Sequence, residues 1–438
     1  PVIGWSVDHD VVRIRTYTDA NFYDPALYLS GSEALVMHAM LSNLVRFKTD
    51  GSWDWEPSAA EEFEQLDDLR YFFRLREGIQ FSDGFGEMTA EDVKYSLERI
   101  IDPGVNSPNK GDLGSLSHVE VKDRYSGEIV LHSPFAAFIT VGLCGGTGCI
   151  VSRSAMESVG GKFGIAPPAC SGPYRFKSWQ AQRKTILERN PDWQGEAPDF
   201  REIHVYPMSD VKAGELAYEA GELDCTQTSI ESVEILRREM PADSSMKIFD
   251  GIRYYWVGIN QDHPRLRDPR VRQAIQWGID DEAVLEAAWF GLSEPATGII
   301  APGLIGNRAK ADIPPAGDPA VSRSLLQAAG VEIPYRIRLD AISTALDSTA
   351  AQVMQWSLGK AGFDVEIGIQ DNATFITMGS EAAGERWKDV QTFIQSFYML
   401  GDPYYATEWF IGEQVGVWNW ERFRSKEFDE LHYAAMAS

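Results

Sequence analysis

Residues 71–100 read YFFRLREGIQFSDGFGEMTAEDVKYSLERI, the most patterned stretch of the chain and one almost devoid of reactive side chains. Tyr71, Phe73 and Leu75 alternate with Phe72 and Arg74, the period of two that marks a strand with one buried face. The run FSDGFGE that follows carries Asp-Gly and further glycines, the signals of a tight turn. Thr89 then stands three residues before Asp92, a spacing that caps the first turn of a helix, and Val93, Leu97, Ile100 and Ile101 recur at helical intervals. Strand, tight loop and capped helix are expected, with the helix packed back on the strand. Read locally, this is scaffold.

The rest of the chain bounds the class. At 438 residues it is too long for one core, so two or three domains are expected. Hydrophobic residues make up 44% and charged residues 24%, ordinary values for a soluble protein, and no apolar run approaches the roughly twenty residues that span a bilayer. The opening PVIGWSVDHD has neither a basic nor an apolar leader region, leaving a cytosolic protein or an exported one whose signal has been removed. A net charge of -25 argues against nucleic acid, because phosphate backbones are bound by clustered Lys and Arg. The acidic residues are dispersed, as on a solvated surface.

Four cysteines, Cys144, Cys149, Cys170 and Cys225, would suit two disulfides in any of three connectivities. The run CGGTGC reads either as a glycine-rich loop clipped by its own cysteines or as two buried thiols. Its spacing and the absence of a nearby histidine do not suggest a metal site. Signatures of catalysis are lacking. The seven histidines are scattered, with no His-Glu-x-x-His, no Gly-x-Ser-x-Gly elbow and no phosphate loop, and in so acidic a chain neighbouring carboxylates arise by chance. No catalytic residue, metal or cofactor is assigned.

Helix and strand signals alternate along the second half. Asp210 caps a helix through VKAGELAYEAG that stops at Gly221, and Asp268-Pro269 opens a helix through RVRQAIQWGIDDEAVLEAAWFG that ends at Gly291. Asp318-Pro319 opens AVSRSLLQAAG, and DSTAAQVMQWSLGKAG runs from Asp347 to Gly362 before the strand DVEIGI. Strands between helices predict layered α/β lobes without a low-complexity linker.

Taken together, these segments resemble a known family. YFFRLREGIQFSDGFGEMTAEDVKYSLERI looks like the signature of the family 5 extracytoplasmic solute-binding proteins, the dipeptide and oligopeptide receptors of ABC importers. NFYDPAL, CSGPYRFKSW, RNPDWQGEAPDFREIHVYPMSD, AGELD, INQDHPRLRDPRVRQAIQWGID, LLQAAG, GDPYY and WNWERFRSKEFDEL follow in the family's order, so the likeness covers nearly the whole chain. One departure is visible: the family normally continues for several tens of residues after FDELHYAAMAS, with a return to lobe I, and the expected closing segment is not present in this sequence.

The resemblance implies a two-lobed α/β periplasmic-binding-protein clamshell of type II, in the large variant with an accessory subdomain in lobe I. Lobe I is expected over residues 1–252, its accessory subdomain near 34–168 and lobe II over 253–438. The signature would then belong to the accessory subdomain and not to the ligand cradle. The resemblance further implies a periplasmic monomer with its signal peptide removed, handing a small solute to ABC permease subunits. An oxidising compartment favours disulfides, expected as Cys144 with Cys149 and Cys170 with Cys225. The solute is expected to be a short peptide or similar amino-bearing compound, with an oligosaccharide or opine as the alternative. In the family's peptide receptors an aspartate of the Asp-Pro region meets the ligand's ammonium, which maps onto Asp402, although a turn cap before Pro403 would also suit this residue. Tyr404, Tyr405, Trp409 and Trp418, with Tyr23 from lobe I, are the expected cleft residues, and Trp420 is a further aromatic for stacking or packing. No carboxylate partner is assigned by motif. A secreted hydrolase on a similar scaffold is the alternative of a different class, and it would process its ligand on long incubation.

Overall fold

A computed structural model of the chain describes residues 10–436 except 51, 163, 250 and 400. The chain divides into two compact units, one running to Lys247 and including Met436, the other running from Ile248 to Ala435. Among the described residues no helix is long and apolar enough to cross a membrane.

The first unit holds two four-stranded sheets. One is ordered Val11–Thr16, Glu202–Pro207, Lys184–Arg189, Tyr174–Gln180, its first pair parallel and the others antiparallel. The other is wholly antiparallel, ordered Ala60–Asp67, Arg70–Leu75, Ser126–Leu131, Leu116–Val121. The signature stretch supplies the second strand of this sheet. Tyr71, Phe73 and Leu75 are fully buried, as the alternation requires. The turn places Asp83, Gly84 and Gly86 at φ of 61°, 80° and 87°, the left-handed region that glycine enters without a steric penalty. The helix follows at Ala90–Ile101, burying Val93, Leu97 and Ile100. Thr89 N–H and Oγ1–H both donate to Asp92 Oδ2, at 2.9 and 2.8 Å. Asp92 Oδ1 accepts from Arg153 N–H at 2.8 Å, so the cap also ties the helix to the next segment.

At the far end of this helix, Arg99 pairs with Asp24 of NFYDPAL through two 2.6 Å bonds, the side chains 6% and 0% exposed. Two of the resembling segments thus meet in one buried ion pair, which fastens the helix to the core around Tyr23, Met37, Met40 and Met156.

The four cysteines are thiols in this structure, which corrects the expected pairings Cys144–Cys149 and Cys170–Cys225. Cys149 is fully buried and its Sγ–H donates to Asn43 Oδ1 at 3.2 Å. Cys170 lies in the core, its backbone bonded in both directions to Ser82, whereas Cys225 is exposed beside the Val11–Thr16 strand. Burial pushes the Cys144 and Cys170 thiols up to about 12, the form of an inert packed side chain.

The second unit is built on a sheet ordered Arg253–Ile259, Thr392–Tyr398, Tyr335–Ile342, Phe363–Gln370. Its last three strands are parallel and the Arg253–Ile259 edge strand runs antiparallel to them. Helices Pro269–Gly278, Pro319–Ala328 and Ala345–Ala361 meet at the fully buried Ser322, whose Oγ–H is shared between Ala274 O at 2.7 Å and Ala361 O at 3.4 Å. Gly278 permits the close approach, since a Cβ there would stand 2.7 Å from that of Ala361. The single helix expected from Pro269 to Gly291 is in fact two, Pro269–Gly278 and Asp281–Trp289. Asp280 breaks the run because its side chain accepts from Ala283 N–H and caps the second helix.

Candidate ligand site

The carboxyl ends of the three parallel strands, at Ile342, Gln370 and Tyr398, lie on one edge of the second unit's sheet. In open α/β sheets this is where ligands bind, because the loops leaving those ends diverge and leave a crevice. A cavity of about 440 Å³ opens at that edge, lined by the end of the Thr392–Tyr398 strand, by Ile376 and by the segment from Tyr405 to Trp420.

Its walls are largely aromatic. The register pairs Tyr254 with Phe397 and Trp256 with Gln395, so these four side chains share one face of the sheet. Phe397 meets Trp409 at 4.1 Å between ring centroids, and Trp409 meets Trp418 at 5.2 Å. Behind them Trp256 stacks on Tyr254 at 5.4 Å and turns its edge to Trp409 and Phe410 at 6.0 and 5.7 Å. The loop bearing Trp409 and Trp418 is held by Asn419, wholly buried, whose Nδ2–H groups reach the carbonyls of Phe410, Ile411 and Phe423 at 3.1, 3.1 and 2.9 Å. Trp420 is 3% exposed and packs between Phe375 and Phe393, so it is a floor and not a stacking face.

The predicted residues divide by position. Tyr405, Trp409 and Trp418 line the cavity, and Trp418 remains 51% exposed. Tyr404 sits on the same helical turn, Tyr404–Thr407, with its ring against His432. Asp402 opens that turn: its Oδ1 accepts from Tyr404 N–H at 2.9 Å, the turn-capping role. Tyr23 lies in the first unit, 2% exposed, its hydroxyl 2.9 Å from Thr185 Oγ1, and packs as a core residue.

Sequence reasoning missed the polar groups. Gln395, Ser396, Glu408 and Gln414 all line the cavity. Gln395 and Ser396 interrupt the apolar strand TFIQSFY, and that break was the available signal. Glu408 is half-buried; desolvation pushes its carboxyl above the usual range, partly offset by the Tyr404 hydroxyl that bonds to it. Glu421 lies deeper, 9% exposed, and accepts from Trp256 Nε1–H at 2.7 Å. Desolvation pushes this carboxyl up to about 7.

Two α/β units, the first carrying an additional antiparallel sheet, make up the fold of the two-lobed periplasmic binding proteins. The same fold is found in the ABC transporter-associated periplasmic binding protein of Helicobacter pylori, solved with the peptide STSA, at a TM-score of 0.74 and 23% identity over 98% of this chain and 86% of that one. Residues 54–414 match the model of the bacterial extracellular solute-binding proteins, family 5, and the chain belongs to that family. Among curated relatives, a probable D,D-dipeptide-binding periplasmic protein of Escherichia coli (strain K12) is 26% identical over 320 residues, 71% of this chain and 61% of that protein. A glutathione-binding protein of Salmonella paratyphi A is 27% identical over 348 residues, 77% of this chain and 65% of that protein. The chain thus spans somewhat less than two thirds of the length of these relatives.

Proposed function

We propose that this chain is the solute receptor of an ABC importer, acting outside the cytoplasm, and that it captures a short peptide or similar amino-bearing compound for delivery to membrane permease subunits. The observation that carries this reading is the aromatic-walled cavity of about 440 Å³ at the carboxyl edge of the second unit's sheet, beside the turn opened by Asp402. A cavity of this kind suits a solute with an apolar body and a few polar ends. Family membership supports the transport role, and the relatives named for dipeptides and glutathione support an amino-bearing solute.

The receptor works by differential affinity. A ligand stabilises the closed form only through contacts absent from the open one, and it is the closed form that is delivered. In this reading Asp402 meets the ligand's ammonium, oriented by the Tyr404 N–H that its Oδ1 accepts. No bond of the solute is made or broken.

Native mass spectrometry of the purified chain is the test, because a closed receptor retains its solute. Co-purified short peptides or amino acid derivatives are the expected result, and a neutral glycan or a processed product would overturn it. Asp402→Asn separates the classes further. It should weaken an ammonium-bearing ligand by several hundredfold, the scale of breaking one side of a buried charge pair, and an uncharged one by only about tenfold.

A further inference from the structure

Resting on the solute-receptor reading, we infer that the cavity of the second unit is a cage for a weakly hydrated organic cation, an alkylated ammonium or a guanidinium, held on the faces of Trp409 and Trp418 and neutralised by Glu408. This subsite is additional to Asp402, which lies at the start of the preceding turn.

Three observations converge on it. The first is charge. Glu408 is the one carboxylic acid among the cavity's lining residues, and no lysine, arginine or histidine lies within ion-pair distance of it among the described residues. A half-buried carboxylate without a cation is costly, and a positively charged ligand group would relieve that cost. The second is the aromatic faces. Phe397, Trp409 and Trp418 stand in succession at 4.1 and 5.2 Å, with Trp418 half exposed, and among the described residues no Lys or Arg of the chain lies over Trp409 or Trp418. Indole faces attract cations most strongly when the cation is easily desolvated, which favours alkylated ammonium and guanidinium over a bare lysine-type ammonium. The third is the absence of any cationic lining group, which disfavours an anionic ligand end in this cavity. The raised Glu408 carboxyl agrees, since its upward push comes from desolvation with no cation to oppose it. Glu421, by fixing the Trp256 indole behind Trp409, holds the cage wall in place.

The experiment uses the full chain and two probes. Tetramethylammonium chloride, titrated against potassium chloride at equal ionic strength, should change tryptophan fluorescence saturably, and Trp409→Ala and Glu408→Gln should each abolish saturation while circular dichroism stays unchanged. Calorimetry with alanyl-arginine and alanyl-citrulline, which differ by guanidinium against an uncharged ureido group, should give a preference for the arginine peptide of at least about tenfold. Glu408→Gln should reduce that preference to about threefold or less. No saturable tetramethylammonium effect, or equal affinity for both peptides, overturns the cage, and in the second case the amino-solute reading survives. Saturation by tetramethylammonium without binding of either peptide leaves the cage standing and counts against the peptide reading. Saturable binding of a neutral oligosaccharide abolished by Trp409→Ala, with no response to tetramethylammonium, overturns both.

Discussion

Replacing Arg99 by Met should be among the most damaging changes in the first unit, although Arg99 is far in sequence from Asp24 and from every candidate ligand group. The pair is bidentate at 2.6 Å, with side chains 6% and 0% exposed, and Asp24 Oδ1 also accepts Ala26 N–H at 2.9 Å. Charge centres about 4 Å apart interact by about 4 kcal/mol at an effective dielectric of 20. That agrees with the 3–5 kcal/mol typical of breaking a buried pair on one side. Arg99→Met leaves the Asp24 carboxylate buried without its cation, and Asp24→Asn leaves the guanidinium, whose Nε already lacks a partner. For a unit of this size each kcal/mol shifts the melting temperature by about 2–4 °C, so each single change should lower the first unit's transition by roughly 6–20 °C. Differential scanning calorimetry of the full chain, with the two single variants and the double Asp24→Asn/Arg99→Met, provides the cycle. The double variant should lose much less than the sum of the singles, because it removes both stranded groups. Single losses below about 1 kcal/mol, or strict additivity in the double, would refute the view that this pair fastens the signature helix to the core.

Three other outcomes are expected. The Glu421 carboxyl, raised from 4.5 to about 7 in the folded chain, takes up protons on folding, so its contribution is full below about pH 4.5 and is lost as pH rises through 7. Unfolding free energies of Glu421→Gln from urea titrations should therefore lack a decline on the order of 3 kcal/mol that the parent shows across that window, and identical pH profiles would contradict the assignment. Alkylation in denaturant without reductant should label four thiols, as the structure has them, and two or none would show bridges after all. Trp420→Ala, which empties a site 3% exposed between Phe375 and Phe393, should cost about 3–5 kcal/mol in the second unit's unfolding, and a loss under 1 kcal/mol would show that the floor refills.

Local chemistry was legible wherever neighbours in sequence settle it. The alternation at Tyr71, Phe73 and Leu75, the Thr89–Asp92 cap, the Asp-Gly turn and the Asp-Pro helix starts at 268 and 318 depend on contacts within a few residues, and each forms as read. The ordered run of segments also sufficed for the family, because it spans most of the chain. Where a helix could continue or stop, as at Asp280, the pattern misled: the apolar spacing is nearly unbroken, and a single side-chain cap decides. The cysteines misled for a different reason, since pairing needs two sulfur atoms brought together and spacing says nothing of that; Cys170 went to the core and Cys225 to the surface. The candidate site was half legible. Tyr405, Trp409 and Trp418 are close in sequence and could be grouped, but Trp256, Gln395 and Phe397 join them only through an antiparallel register across some 140 residues. Tyr23, a plausible cleft aromatic by motif, was claimed by the first unit's core. Sequence determined which elements form and to which family they belong; only tertiary packing decided which side chains share a cavity, because burial and charge pairing are set by residues that the chain brings from far away.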